Sequence, residues 1–159
     1  MNEVLRLLEQ DGRYNAGQIA AMTGSDTAEV EKLIAQYEAD GIILGYSAIV
    51  DWDKTSDENV TALIEVKISP QRGDGYDRIA ERIFQYEEVE SLYLMSGAYD
   101  LAVHISGKSM KAISHFVFEH LATIDGVTST ATHFILKKYK ENHRAFSVAP
   151  EQEERLLFV

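Results

Sequence analysis

The chain has 159 residues and carries 15 Lys and Arg against 26 Asp and Glu, a formal net charge of −11. That acidity excludes a protein that coats nucleic acid or an anionic membrane by bulk charge, while leaving room for a local binding surface. Hydrophobic residues at 45% suffice for a core, and the absence of cysteine excludes disulfides, thiolate metal sites and cysteine nucleophiles. The length suits one compact domain or two small ones. The start, Met1-Asn2-Glu3-Val4, has neither a basic nor an apolar leader segment. Purely apolar runs such as Ile19-Ala20-Ala21-Met22 fall far short of the ~18 residues of a membrane span. The expectation is a soluble cytoplasmic protein with no membrane partner.

Residues 1–50 read as helical. Val4, Leu5, Leu7 and Leu8 form an apolar stripe that Asp11-Gly12 ends. Asn15 is placed to cap a second helix with Ile19, Ala20 and Met22 inward, and Thr23-Gly24-Ser25 makes a tight turn. Ser25 or Asp26 then caps a third helix, with Glu29 at capping-box distance from Asp26. Val30, Leu33, Ile34 and Tyr37 recur at i, i+3, i+4, i+7 and mark its buried face, and Gly41 stops it. The stretch from Ile42 to Val50 reads as extended. Three helices with a short turn between the second and third suggest a helix-turn-helix, and the extended stretch fits a winged variant.

Asp51 to Asn59 is polar and reads as a linker, interrupted by Trp52 as an anchor. From Val60 the period changes to two. Ala62, Ile64, Val66 and Ile68 line one face of a strand that Pro70 stops, and Gly73-Asp74-Gly75 makes a loop. A helix follows over Tyr76 to Tyr86, with Ile79, Ile83 and Tyr86 inward. Strands over Val89 to Met95 and Tyr99 to Ser106 flank the turn Ser96-Gly97-Ala98. Ser109 caps a helix with Met110, Ile113, Phe116, Val117 and Leu121 inward, and Val127 to Tyr139 is the last strand. The order β-α-β-β-α-β is ferredoxin-like. The fold class is therefore α+β, a winged helix-turn-helix joined to a ferredoxin-like domain. The expected divisions are 1–50, a linker 51–59, a domain 60–140 and a C-terminal arm 141–159 that ends Leu156-Leu157-Phe158-Val159. Helices on one face of the sheet leave the other face to be covered, most simply by a second copy.

Taken in order, Leu5-x-x-Leu8, Gln10-Asp11-Gly12-Arg13, Ile19-Ala20, Gly24-Ser25 and Tyr37-Glu38-Ala39-Asp40-Gly41-Ile42-Ile43-x-Gly45-Tyr46 resemble the N-terminal half of the Lrp/AsnC, or feast/famine, regulators. Gly97-Ala98-Tyr99-Asp100-Leu101, Gly126-Val127, Thr130-x-Thr132 and Lys140 are similar to the same family's ligand-sensing half. The resemblance covers roughly residues 1–140. It implies an amino-acid-responsive transcriptional regulator that forms homodimers which assemble further, often to octamers; separately, no reacting group is identifiable in the sequence, so an enzyme is not expected. The resemblance also implies an effector site between subunits, in the region of Ser96, Gly97, Ala98, Tyr99, Asp100, Thr130 and Thr132.

The residues add their own constraints. Residues 1–50 hold three cations against eight anions, and the remainder twelve against eighteen, so the acidity is shared. The recognition helix, roughly Ser25 to Asp40, has one cation, Lys32, against Asp26, Glu29, Glu31, Glu38 and Asp40; Leu33, Ala35 and Gln36 stand where the family usually carries Arg or Lys. Each phosphate neutralised contributes about −0.9 to the log–log salt slope, so binding of double-stranded DNA is expected to be weak per subunit and strengthened by multivalency. Candidate DNA contacts are Ser25, Thr27, Lys32 and Gln36; each is equally readable as an ordinary exposed helix residue. The amides of the Gly97 turn can hold a carboxylate and Asp100 an ammonium group, with Thr130 and Thr132 adding hydroxyls. The alternative is a plain hairpin with Asp100 capping the turn and threonines chosen as strand formers. An alternative for the whole chain is a small-molecule sensor or assembly module whose attenuated helix-turn-helix acts through a protein partner.

Other signals are weaker. Gly107-Lys108-Ser109 lacks the earlier glycine of a phosphate loop, because that place is Ala102. His115 and Glu119 form an i, i+4 pair without a third ligand, and His104 and His133 lie in strands. Arg72-Gly73-Asp74 is a short loop match of little weight. No cofactor, metal or catalytic constellation is expected.

Overall fold

A computed structural model describes residues 2–57, 59–69 and 75–146. The chain divides into two compact units, one running to Val50 and resuming at Lys140, the other spanning Asp51–Tyr139. The expected stop at Pro70, the loop residues Gly73 and Asp74, the Arg72-Gly73-Asp74 match and the arm beyond Phe146 lie outside the described residues.

The first unit is built on α1 (Asn2–Gln10), α2 (Ala16–Thr23) and α3 (Thr27–Ala39). Val4, Leu8, Ile19, Ala20 and Val30 form its core, with Leu33, Ile34 and Ile43 packed against it. Asn15 caps α2 by a full capping box: its side chain accepts from the Gln18 amide, and Gln18 accepts from the Asn15 amide. Asp26 caps α3 by accepting from the amides of Ala28 and Glu29, an arrangement worth about 1 kcal/mol. Between them Gly24 sits at φ 69°, a left-handed turn residue that lets α2 end and α3 start within three residues.

Three details depart from the sequence reading. Met22 is 52% exposed rather than inward, because Ile19 and Ala20 already fill that side of α2. Residues 42–50 form no ladder, so the segment expected as a wing strand is a loop. Finally, the last strand stops at Phe134. Lys140–Glu141 (β5) and Arg144–Ala145 (β6) then form a separate hairpin that belongs with the helical unit.

Tyr46 fastens the 42–50 loop. Its hydroxyl donates to Glu38 Oε1 at 2.9 Å, and its ring lies close enough to Gly12 that a Cβ there would stand 3.0 Å from Cδ1.

In the second unit a four-stranded antiparallel sheet runs β2 (Val89–Leu94), β3 (Leu101–Gly107), β1 (Val60–Ile68), β4 (Val127–Phe134). The helices α4 (Tyr76–Ile83) and α5 (Met110–Phe116), the latter continued by a π-turn over Val117–Leu121, pack on one face. Ala62, Ile64 and Val66 on β1 are fully buried beneath Ile83, Ile113 and Leu121. Leu101, Val103 and Ile105 of β3 complete that layer. Met110 departs from the expected inward stripe: it is 50% exposed, one residue after the Ser109 cap. Gly126, at φ 93°, lets the turn into β4 pass Ile79, whose Cδ1 would lie 2.9 Å from any Cβ. The expected linker holds a 3-10 turn at Trp52–Lys54 and clusters with this second unit.

Tyr46 yields a pH prediction. Desolvation first, then the hydrogen bond to Glu38 and its charge, raise the phenol above its ordinary pKa of 10.0. A raised folded-state value contributes stability that is complete below the unfolded pKa and vanishes as pH climbs through the folded one. The difference in urea stability between the native chain and Tyr46→Phe is expected to hold at neutral pH and to shrink once the pH passes about 10.

Candidate functional site

Two surfaces gather the residues singled out in the sequence. The first is the exposed side of α3. Val30 and Tyr37 are buried and Leu33 and Ile34 half-buried, so the outward stripe runs Ala28, Lys32, Gln36 at i, i+4 spacing. Thr27 opens the helix and is exposed. Ser25 is exposed as well, its hydroxyl 3.0 Å from that of Thr23 and its amide donating to Ala20. Ser25, Thr27, Lys32 and Gln36 are thus all exposed, but they do not form one patch: Lys32 and Gln36 share the outward stripe, whereas Ser25 and Thr27 sit at the start of α3, with Thr27 half a turn around the helix from Gln36. Glu29 and Glu31 flank Lys32. Leu33 does not belong to that surface, since it packs on the helical core.

The second surface is the turn from Met95 to Asp100. Ser96, Gly97 and Ala98 are exposed, Tyr99 and Asp100 half-buried. Asp100 is tied into the sheet: its amide donates to Val66 O at 3.0 Å, and its Oδ2 accepts from the Ile68 amide at 2.7 Å. The carboxylate thus takes the place of a backbone carbonyl just past the last β1–β3 pair, Val66 with Leu101. One oxygen of Asp100 is committed to holding the turn.

Thr130 and Thr132 lie on the far side of β1. They pair with Val66 and Ile64, so they share the helix-covered face, half-buried at the sheet edge. Within one subunit the structure does not bring them against the turn; β1 stands between. Sequence spacing showed that the two threonines share a face, but only the register shows which face.

A cavity of about 420 Å³ abuts the turn, a feature the sequence reading did not find. Leu94 and Leu101, the last β2–β3 pair before the turn, form one end, and Ala80 and Phe84 of α4 line its side. Its charged lining is acidic, from Asp77 and Glu90, with Ser91 and Tyr76 beside them. The only sequence trace of it is the run Leu92 to Met95, too apolar for an edge strand facing water.

Among the described residues no helix of this unit packs on the opposite face of the sheet. It carries Leu63, Glu65, Tyr93, His104 and His133 by alternation and register. His133 Nε2 lies 3.4 Å from Glu65 Oε1, and Tyr93 meets His104 edge-on at 6.2 Å. His115 and Glu119 are 3.1 Å apart. Among the described residues no group of three His, Asp or Glu is placed to hold a metal ion.

Comparison with known proteins fits this architecture. A family model of the Lrp/AsnC ligand-binding domain matches residues 61–145. The HTH-type transcriptional regulator YugG of Bacillus subtilis is 46% identical over 152 residues, spanning 95% of this chain and 92% of that protein. The chain belongs to the Lrp/AsnC family. It is a helix-turn-helix transcriptional regulator of that type. The HTH-type regulator FL11 of Pyrococcus furiosus is 26% identical over 87% of the chain and 89% of its own length. Among solved structures, a transcriptional regulator of Neisseria meningitidis in complex with L-Met superposes with a TM-score of 0.71 at 24% identity, covering 87% of this chain and 89% of that one. The fold is thus the Lrp/AsnC fold. Among the described residues no helix is long and apolar enough to cross a membrane.

The double engagement of Asp100 separates two roles by substitution. Asp100→Ala removes the acceptor of a half-buried amide and is expected to cost about 1–3 kcal/mol. Asp100→Asn keeps an oxygen for Ile68 and is expected to cost clearly less, in chemical denaturation followed by circular dichroism. Equal losses for the two variants would show that charge, not the ladder bond, sets the stability of the turn.

Proposed function

We propose that this protein binds promoter DNA through α3 and reads an α-amino acid at the Met95–Asp100 turn. The observation that carries the reading is a capped helix-turn-helix joined to a domain matching the Lrp/AsnC ligand-binding model. Ser25, Thr27, Lys32 and Gln36 contact the duplex. Gln36 is suited to an adenine edge, and Lys32 to a phosphate. No catalytic step is part of this function, and the protein acts in the cytoplasm.

At the sensing end, the exposed amides around Gly97 suit a carboxylate and Asp100 an ammonium group. The neighbouring cavity offers Leu94, Leu101 and Phe84 to an apolar side chain. Because Thr130 and Thr132 stand across β1 from the turn, a site using both draws them from different subunits. The open sheet face supports this, since its half-buried Leu63 and exposed Tyr93 gain from a second copy. Homodimers formed there assemble further, to octamers. The effector then shifts which assembly is populated, by binding the two states with different affinity.

A second reading, a sensor acting through a protein partner, is favoured by one observation: three exposed glutamates on α3 stand against the single Lys32. Glu31→Arg and Ala35→Arg discriminate, both being exposed and off the core. On the DNA reading each raises low-salt affinity for duplex DNA several-fold in a fluorescence titration; unchanged affinity favours the partner reading.

The sensing claim has its own test. In a thermal-shift screen of the amino acids, beginning with L-methionine, the cognate ligand raises the melting temperature. At about a hundred times its Kd the gain is about 2.7 kcal/mol. Asp100→Asn abolishes that gain. A shift retained in Asp100→Asn removes the carboxylate from ammonium recognition.

A further inference from the structure

The most basic stretch of this acidic chain is not in the recognition helix. Lys137, Lys138, Lys140 and Arg144 stand within eight residues that include one anion, Glu141. Residues 140–146 cluster with the helix-turn-helix unit. There Lys140–Glu141 pairs with Arg144–Ala145 around a two-residue turn, Asn142-His143, whose φ angles are 41° and 66°. Two successive positive φ values are the signature of the tight hairpin turn whose twist matches its strands, and Asn tolerates that conformation better than most residues.

The pairing fixes which way each cation points. Glu141 pairs with Arg144 and Lys140 with Ala145, and paired residues share a face. Arg144 Nη2 donates to Gln10 O at 2.7 Å, at the C-terminal end of α1. A guanidinium suits that end, where unpaired carbonyls carry partial negative charge. The Glu141–Arg144 face is therefore the one turned to α1, and the exposed Lys140 stands on the other. The loop that closes α1 adds a second exposed cation, Arg13, three residues beyond Gln10.

We infer that this hairpin, with Arg13, is a second duplex-DNA contact of the helix-turn-helix unit, gripping backbone phosphates while α3 reads the groove. Arg144 anchors the hairpin; Lys140 and Arg13 meet the phosphates. The inference rests on the DNA reading above and supplies what that reading lacks. Phosphate contacts provide most of the salt-dependent affinity of DNA-binding proteins and fix their register, whereas the exposed side of α3 offers a single cation.

The test uses the full-length protein and two labelled duplexes of equal length, one from upstream of its own gene and one of scrambled sequence, titrated over salt. Lys140→Gln is expected to lower the log–log salt slope by about 0.9 per bound subunit, and Lys140→Gln with Arg13→Gln by about 1.8. Both duplexes weaken together, because phosphates carry no sequence. Lys140→Arg keeps the native slope. Lys111→Gln removes the same charge from exposed α5 in the other unit and leaves the slope unchanged. A slope for Lys140→Gln equal to that of Lys111→Gln overturns the inference while leaving DNA binding intact. If the native protein binds neither duplex at the lowest salt, the DNA reading itself falls, and the hairpin contact falls with it.

Discussion

The one-sided burial of β1 is the constraint on which the ligand-sensing unit depends. Ala62, Ile64 and Val66 have no exposed surface, and Ile68 little. Strand side chains repeat every two residues, so a slip of one position would exchange this row for Thr61, Leu63, Glu65 and Lys67. Burying Glu65 and Lys67 under α4 and α5 without partners would cost several kcal/mol, so the register is held. Every feature of the candidate site inherits it. The Ile68 amide falls beyond the last β3 pair, where the Asp100 carboxylate collects it, and Thr130 falls opposite Val66. The bulge between Lys67 and Ile68 on the β4 side releases the strand at the same point.

A consequence is that Asp100 is structural before it is anything else. A carboxylate that completes a ladder is held in one orientation, and groups held that way make good recognition elements because no entropy is lost in ordering them on binding. The adjacent glycine turn has the opposite property: its residues are exposed and lie outside the β2–β3 ladder. One fixed anion beside an exposed glycine turn is complementary to a zwitterion, which is why the family resemblance and the local chemistry lead to the same ligand class.

Much of this was legible in the sequence, and the failures have identifiable causes. The buried row of α3 and the alternation of β1 came directly from period, because a long amphipathic segment and a half-buried strand each leave a strong signal. Met22 and Met110 were misplaced because both stand at a helix end, where a residue can match the apolar period and still have nothing packed over it. The 42–50 stretch looked like a wing because it is apolar and alternating, yet Tyr46 spends its contacts on Gly12 and Glu38 instead of a ladder. The largest miss was the run read as one strand to Tyr139. The strand ends at Phe134, and Asn142 marks only the turn of the hairpin that follows, whose pairing of Lys140 with Ala145 is local to a segment the period assigns partly to the strand and partly to an arm. The face occupied by Thr130 and Thr132, and the cavity beside Leu94, depend on register between distant strands, and no local pattern encodes that.

An acidic recognition helix weakens non-specific attachment, because every wrong site on DNA presents the same phosphates. Affinity then has to come from contacts that act only when several subunits are correctly arrayed, through the effective concentration that assembly provides. A modest basic hairpin suits that arrangement better than a basic helix. As the proposed phosphate contact, it strengthens each subunit slightly without making any single subunit sticky. On the proposed function, an effector that changes the assembly then switches binding on and off, because no subunit with so acidic a helix would hold DNA firmly by itself.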